Sequence, residues 1–436
     1  MSDLQSPRDG LDVGSPPAGT WPWVALLACA VVICGYVGNA LAVLGPRLPG
    51  HFGISMESLG LLFGAPLLAA IIPYAIAGPA SDRWGAKTTL LVALWGVAFS
   101  FALCGAGKRL GPFAAGVLMA GLFNAAIFVC FPAYLARLHP NSHRRMFSLS
   151  LTASALPWLV FPLLVGRLMT RFPDHFGRVL HGPFLVGAML MAGAATLFRR
   201  APSDGPGAGH PPKDRPGFMS ALKLVGRRPM LLVVLLAAVH GVSDGVFATW
   251  FPVYATCQFG QALKRPGDVL ALCGLAYTSS RLILWLLPEG RGQRLLLVAP
   301  GLVGGTLLMA CLWMNDPRIM FWGYPLAAFA WSWEYPTLVS EAARLAPCHF
   351  ASFMSILIIV SQLAQAMLMP VVGAFIRWAQ EAGPAAPWWQ RDLRVPMAIF
   401  PLGFLAFGLV AAASGLGTGA LTGPEAKPDG DAHRQP

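Results

Sequence analysis

Three charged side chains lie inside apolar stretches of this sequence, and they are Asp244, Arg281 and Glu334. Each interrupts a run long enough to cross a membrane, where an ionisable group is costly unless it faces a partner or a wet cavity. The planar guanidinium of Arg281 suits the carboxylate of an anionic solute. Asp244 or Glu334 would then take up a proton, since solute and acid compete for the same arginine.

A second interpretation of these charges stays open. Asp244, Arg281 and Glu334 could form a standing ion-pair network that serves packing and touches no substrate. His240, one turn before Asp244, could pass a proton or hydrogen-bond to a neighbouring helix. Because the triad occupies only the second half of the chain, we expect the titratable chemistry to be concentrated there.

Aromatic and amide side chains near these charges are candidates for binding the solute. Trp250 and Tyr335 flank the acids in sequence, and Trp331 lies three residues before Glu334. Apolar walls with a few polar groups are typical of small-molecule sites, although Trp and Tyr at helical spacing also serve as packing residues. In the first half we expect Asn39 to face the cavity.

The composition indicates a polytopic membrane protein. Of 436 residues, 56% are hydrophobic and 11% charged, less than half the roughly 25% of a soluble domain. With about 20 apolar residues per crossing, we predict an all-α chain with twelve transmembrane helices. They begin near Trp21, Ser58, Thr88, Gly111, Met146, Pro183, Met230, Val269, Leu295, Met320, Phe353 and Val395.

The net charge of +12 requires no nucleic-acid partner, because basic residues on cytoplasmic loops account for it. The eight cysteines lie almost entirely in apolar runs and never as Cys-x-x-Cys, so we expect no metal site. No phosphate-binding Gly-x-x-x-x-Gly-Lys-Ser/Thr loop occurs, and nothing else predicts an enzyme or a cofactor.

The chain divides into two similar halves. We predict disordered tails at 1–20 and 418–436, helical halves at 21–200 and 229–417, and a flexible linker at 201–228 with a short helix near Met219. Residues recur between the halves at nearly one offset: Gly35 and Pro46 recur as Gly241 and Pro252, both 206 positions later.

A short charged segment, Gly78 to Lys87, reads GPASDRWGAK between the second and third apolar runs. We expect a tight loop here, with the glycines permitting the turn and Asp82, Arg83 and Lys87 marking where the bilayer ends. The segment resembles the signature loop between the second and third helices of the major facilitator superfamily. It departs from that motif at Ala86, where a basic residue is usual.

That resemblance implies two six-helix bundles related by a pseudo-two-fold axis, facing each other across a central cavity with the solute near the bilayer midplane. It also implies an inner gate closed by the signature loop, with Gly78, Asp82, Arg83, Gly85 and Lys87 as its residues. Lys and Arg are in excess on that side, so both termini are expected in the cytoplasm.

We therefore expect a secondary transporter of a small, anionic organic solute, coupled to protons and monomeric in the inner membrane. Two alternatives stay open. One is export of an apolar drug or metabolite by proton antiport, and the other is a scaffold or sensor that moves nothing.

Overall fold

A computed structural model describes residues 19–138, 143–202, 218–263, 265–286, 292–346, 350–382 and 386–417. In these ranges the secondary structure is helical, with no β-strand. Twelve long helices follow the apolar segments predicted from the sequence. We number them α1 Trp21–Phe52, α2 Met56–Trp84, α3 Ala86–Ala106, α4 Leu110–Leu138, α5 His143–Arg171, α6 Phe176–Phe198, α7 Arg228–Phe259, α8 Pro266–Leu286, α9 Gln293–Met314, α10 Pro317–Trp331 with its continuation Glu334–Leu345, α11 Phe350–Glu381 and α12 Arg394–Ser414.

Ten of these helices are long and apolar enough to cross a membrane, as far as the described residues extend. The two that fall outside the ten are α8 and α10. Arg281 lies inside α8, and α10 is broken at Ser332 and Trp333 and continues with charged residues. The predicted count of twelve crossings therefore stays a prediction. The two helices in question carry two of the three predicted site charges.

Helices of the first half of the chain pack mainly on one another, as α3 does on α4 and α6. The same holds in the second half, where α9 packs on α10 and α12. Three pairs join the halves: α2 with α11, α5 with α8, and α1 with α7. The predicted short helix of the linker is present as Phe218–Val225, while most of the linker and both terminal tails lie outside the described residues. The predicted domain boundaries remain predictions.

The helices that join the halves touch through their backbones near one end of the molecule. A Cβ built on Gly60 of α2 would lie 2.5 Å from the Met369 carbonyl oxygen of α11, and one on Gly373 would lie 2.3 Å from that of Met56. Both distances are too short for any side chain. These positions therefore require glycine, and they hold the start of α2 directly against α11.

The second pair of joining helices closes in the same way. A Cβ on Gly267 of α8 would lie 2.6 Å from the Pro162 carbonyl oxygen of α5. An ion pair of 2.8 Å between Glu57 Oε1 and Arg377 Nη2 also bridges α2 and α11 at this end. The two halves are thus closed against each other at the end where α2 and α8 begin.

The predicted loop from Gly78 to Lys87 is shorter than expected. Helix α2 continues to Trp84 and α3 starts at Ala86, so only Gly85 lies between them. Gly85 has a φ of 86°, a conformation that favours glycine. The expected tight turn is therefore confined to Gly85, because the polar residues before it are tolerated in the last turn of α2 and the positive φ ends that helix. Lys87 Nζ donates a 2.5 Å hydrogen bond to the Ala201 carbonyl just after α6.

Candidate functional site

Asp244 lies on a widened turn of α7. Residues Val242–Val246 form a π-helical turn inside the otherwise α-helical α7, and such turns often occur at functional sites. Two glycines, Gly241 just before the turn and Gly245 within it, allow α11 to approach closely. A Cβ on Gly241 would lie 1.9 Å from Ser361 Oγ, and one on Gly245 would lie 2.1 Å from Gln365 Oε1. The turn is therefore fixed in place by α11.

The Asp244 carboxylate is held by hydrogen bonds from two aromatic side chains. Trp331 Nε1 of α10 lies 3.3 Å from Asp244 Oδ1 and 2.5 Å from the Tyr277 hydroxyl oxygen of α8. The Tyr277 hydroxyl is also a hydrogen-bond partner of Asp244. The Trp331 ring stacks on Phe404 with centroids 4.1 Å apart. Helices α7, α8 and α10 therefore position Asp244 together, and neither Trp331 nor Tyr277 carries a charge.

Arg281 is one helical turn after Tyr277 on α8, and its guanidinium carbon lies 5.2 Å from the centre of the Tyr277 ring. This is cation–π distance. Its Nε atom is buried and has no hydrogen-bond partner. The Trp158 ring of α5 also stacks on Tyr277, with ring centroids 6.4 Å apart and an interplanar angle of 21°. The arginine therefore lies beside Tyr277, whose ring also meets Trp158 from the first half of the chain, and the Arg281 Nε donor is unused.

Glu334 is paired with a histidine, away from Arg281. His240 Nδ1 lies 2.7 Å from Glu334 Oε2, and both side chains are buried. The other oxygen, Oε1, has no partner. Gly301 of α9 makes room for it, since a Cβ there would lie 2.7 Å away. Tyr335 stacks over the His240 ring at 5.7 Å.

The break in α10 brings the Asp244 site and the His240–Glu334 pair near each other. The Ser332 hydroxyl donates to Ser280 Oγ of α8, and Trp333 Nε1 donates to the Ser280 carbonyl at 3.0 Å. Trp331 therefore points to Asp244 just before the break, and Glu334 meets His240 just after it. One irregular stretch of α10 positions both acids.

Among the described residues, no ion pair joins any two of the three predicted charges. The standing ion-pair network that the sequence left open is therefore not formed by these residues, and the roles of the three charges in transport stay a prediction. Trp331 hydrogen-bonds to Asp244 and His240 hydrogen-bonds to Glu334 Oε2 instead, while Glu334 Oε1 has no partner.

Two of the predicted solute-binding residues have other contacts. Asn39 Nδ2 donates to the Gly35 carbonyl of its own helix at 2.8 Å. Trp250 is fully buried against Phe63 of α2, with ring centroids 5.3 Å apart, and its Nε1 is unpaired. Trp331 is fully buried as well. Their contact with a solute stays a prediction, and packing accounts for what is seen.

Sequence reasoning missed Tyr277 and Trp158 and left the role of His240 open. Tyr277 precedes Arg281 by four residues, and this helical spacing alone places it beside the arginine. Trp158 gave no signal, because it approaches from a different half of the chain. Among the described residues, no group of three His, Cys, Asp or Glu side chains could hold a metal ion.

Comparisons with known proteins agree with this architecture. The model of the Major Facilitator Superfamily matches residues 26–369. The uncharacterized MFS-type transporter YceJ of Bacillus subtilis (strain 168) is 24% identical over 326 residues, which are 71% of this chain and 79% of that protein. The gallate transporter of Pseudomonas putida is 26% identical over 147 residues, 33% of this chain and 32% of that protein. The structure of the human organic anion transporter MFSD10 (TETRAN) has a TM-score of 0.65 at 17% identity and covers 91% of this chain and 100% of that one.

Proposed function

Because the chain belongs to the major facilitator superfamily of membrane transporters, we propose that it carries a small organic anion across the membrane together with protons. In this proposal Arg281 binds the anionic group of the solute. Tyr277 and Trp158 cover the apolar part of the solute, and Asp244 and Glu334 take up the protons.

The incomplete coordination of Arg281 is the observation that supports this proposal most. Its Nε is buried without a partner, and no described carboxylate lies within ion-pair distance of it. A charged group with a buried, unpaired donor is costly. A carboxylate on the solute would satisfy it with two parallel hydrogen bonds. Similarity over a third of the chain to a protein named a gallate transporter also favours an organic anion.

The charge balance around Arg281 favours proton coupling. Two acids, Asp244 and Glu334, share this region with one permanent cation. When a negative solute pairs with Arg281, the region carries an excess of negative charge in a medium of low dielectric constant. Proton uptake by either acid restores the balance, so solute and proton would move in the same direction. The His240–Glu334 hydrogen bond offers a ready path for the proton.

Alternating access would follow from rocking of the two halves about the α2–α11 and α5–α8 contacts. We propose that the closed end described above faces the outside. The opposite end carries Gly85 and Lys87, which with Gly78, Asp82 and Arg83 would form the inner gate. Both termini would then lie in the cytoplasm, with the protein acting as a monomer in the inner membrane.

The proposal is tested with purified protein in liposomes, with gallate and benzoate as the first carboxylate probes. An imposed inward proton gradient should drive uptake by wild type, and Arg281→Gln should abolish it. Leu282→Ala serves as the matched control, because Leu282 is the next residue on α8 and 58% exposed. Binding is read separately as thermal stabilisation by the probe, which is about 2.7 kcal/mol at a hundredfold excess over Kd.

Two results would each overturn one part of the proposal, the anion site or the proton coupling. One is equal stabilisation of wild type and Arg281→Gln by a carboxylate that wild type transports. The other is uptake that ignores the proton gradient in wild type, which would remove the coupling but leave the anion site intact.

A further inference from the structure

A cavity lies in the first half of the chain, and neither Asp244 nor Arg281 lines it. It has a volume of about 650 Å³, within the range of about 300–1,000 Å³ typical of ligand pockets. Its walls come from α1, α3, α5 and α6. Side chains on its inner wall, such as Phe101 and Val179, are buried, whereas Leu164 and Leu190 at its opening are exposed. It is therefore a crevice that opens between α5 and α6 towards the surrounding lipid.

We propose that this crevice binds one acyl chain of an anionic phospholipid, with the lipid phosphate at Arg178. The inference is independent of which solute the protein carries. It rests on three observations: the apolar walls, the length of the crevice and the charges at one end of it.

The crevice spans the depth of one lipid leaflet. Along α6 its lining extends from Arg178 to Leu190. Twelve residues of α-helix rise about 18 Å, and half of a hydrocarbon core of about 30 Å is about 15 Å. A lipid whose headgroup lies level with Arg178 would therefore place its chain along the crevice as far as the bilayer centre.

Basic residues gather at the Arg178 end. Arg178 and His175 line the crevice itself, and Arg171 is the last residue of α5. Arg47 Nη1 donates a 3.0 Å hydrogen bond to the carbonyl of Pro173, which lies in the loop between α5 and α6. The only acid between Arg171 and Arg178 is Asp174. Such an excess of positive charge complements the phosphate of an anionic lipid, since arginine forms charge-assisted hydrogen bonds with phosphate.

The position of Arg178 in its helix also favours an anion. Arg178 lies in the first turn of α6, which has no acidic residue there. A cation at a helix N-terminus is unfavourable because the helix dipole is positive at that end. Among the described residues, the Arg178 side chain forms no hydrogen bond or ion pair. A bound phosphate would compensate both the dipole and the guanidinium.

The test compares phosphatidylglycerol with phosphatidylcholine of identical acyl chains, added to purified full-length protein in detergent. We expect native mass spectrometry to show one retained phosphatidylglycerol and thermal stabilisation by that lipid only. Arg178→Gln should weaken its retention about tenfold, the value of one lost charge-assisted contact. Arg318→Gln, an exposed arginine at the start of α10, should retain it like wild type.

A second variant keeps the test decisive if Arg178→Gln folds poorly. Leu190→Trp narrows the mouth of the crevice without changing any charge, so it should reduce retention of phosphatidylglycerol while Arg178 is intact. Equal retention of both lipids by wild type would overturn the proposal. So would full phosphatidylglycerol preference in both Arg178→Gln and Leu190→Trp.

Discussion

Breaking the His240–Glu334 pair should destabilise the protein strongly. Glu334 is fully buried, and its Oε1 already lacks a partner, so the 2.7 Å contact with His240 is the hydrogen bond that holds Oε2. His240→Ala removes it and leaves both oxygens unpaired. Losing one partner of a buried pair costs about 3–5 kcal/mol. We expect a loss of that order in the free energy of unfolding.

A double-mutant cycle measures the contribution of the contact itself. His240→Ala, Glu334→Ala and the double variant are unfolded by denaturant in the same detergent. The double variant should cost little more than either single variant, so the coupling energy should be close to the cost of one single variant, about 3–5 kcal/mol. His175→Ala, an exposed histidine, should change stability by less than about 0.5 kcal/mol.

Additive costs in that cycle would refute the reasoning. If the losses of the two single variants sum to the loss of the double variant, the pair has no energetic coupling. The placement of a proton on this pair during transport would then lose its structural basis.

Two further predictions follow from the packing around the site and between the halves. Gly60→Ala should force α2 away from α11, because the added Cβ would lie 2.5 Å from a backbone oxygen. A cysteine introduced at Glu57 should then be labelled by a thiol reagent faster than the same cysteine with Gly60 intact, and unchanged labelling would contradict the close contact. Trp331→Phe should keep the stacking on Phe404 but remove the hydrogen-bond donor to Asp244. We expect a loss of about 1 kcal/mol in the free energy of unfolding and a shift in the pH profile of uptake, and an unchanged profile would show that Trp331 does not act on Asp244.

The membrane fold could be predicted from the sequence because hydropathy directly reflects the requirement for apolar crossings. Helices begin within a few residues of the predicted starts at Trp21, Thr88 and Phe353. The signature segment was harder, because charged residues suggest a loop, yet a helix tolerates them in its last turn. The turn is fixed by the positive φ of Gly85. The sequence alone does not show whether Gly78 or Gly85 adopts this conformation.

The site charges could also be predicted, since an acid or arginine in an apolar run stands out. Their partners could not. Tyr277 and Trp158 have no unusual hydropathy, and they meet across the interface between the halves. The break at Ser332 and Trp333 could not be predicted from the sequence either, because both residues are common within membrane helices. This break directs Trp331 to Asp244 and Glu334 to His240, so each acid pairs with one of these side chains and neither pairs with Arg281.

The π-helical turn at Val242–Val246 has a mechanical consequence for α7. A turn of this kind stores one surplus residue relative to an α-helix. If that surplus migrates along the helix by one turn, the segment it passes rotates by about 100°, the angle of one residue. Asp244 would swing away from Trp331 while both ends of α7 keep their depth in the bilayer. The helix can thus release a charge by twisting locally, with no need to slide.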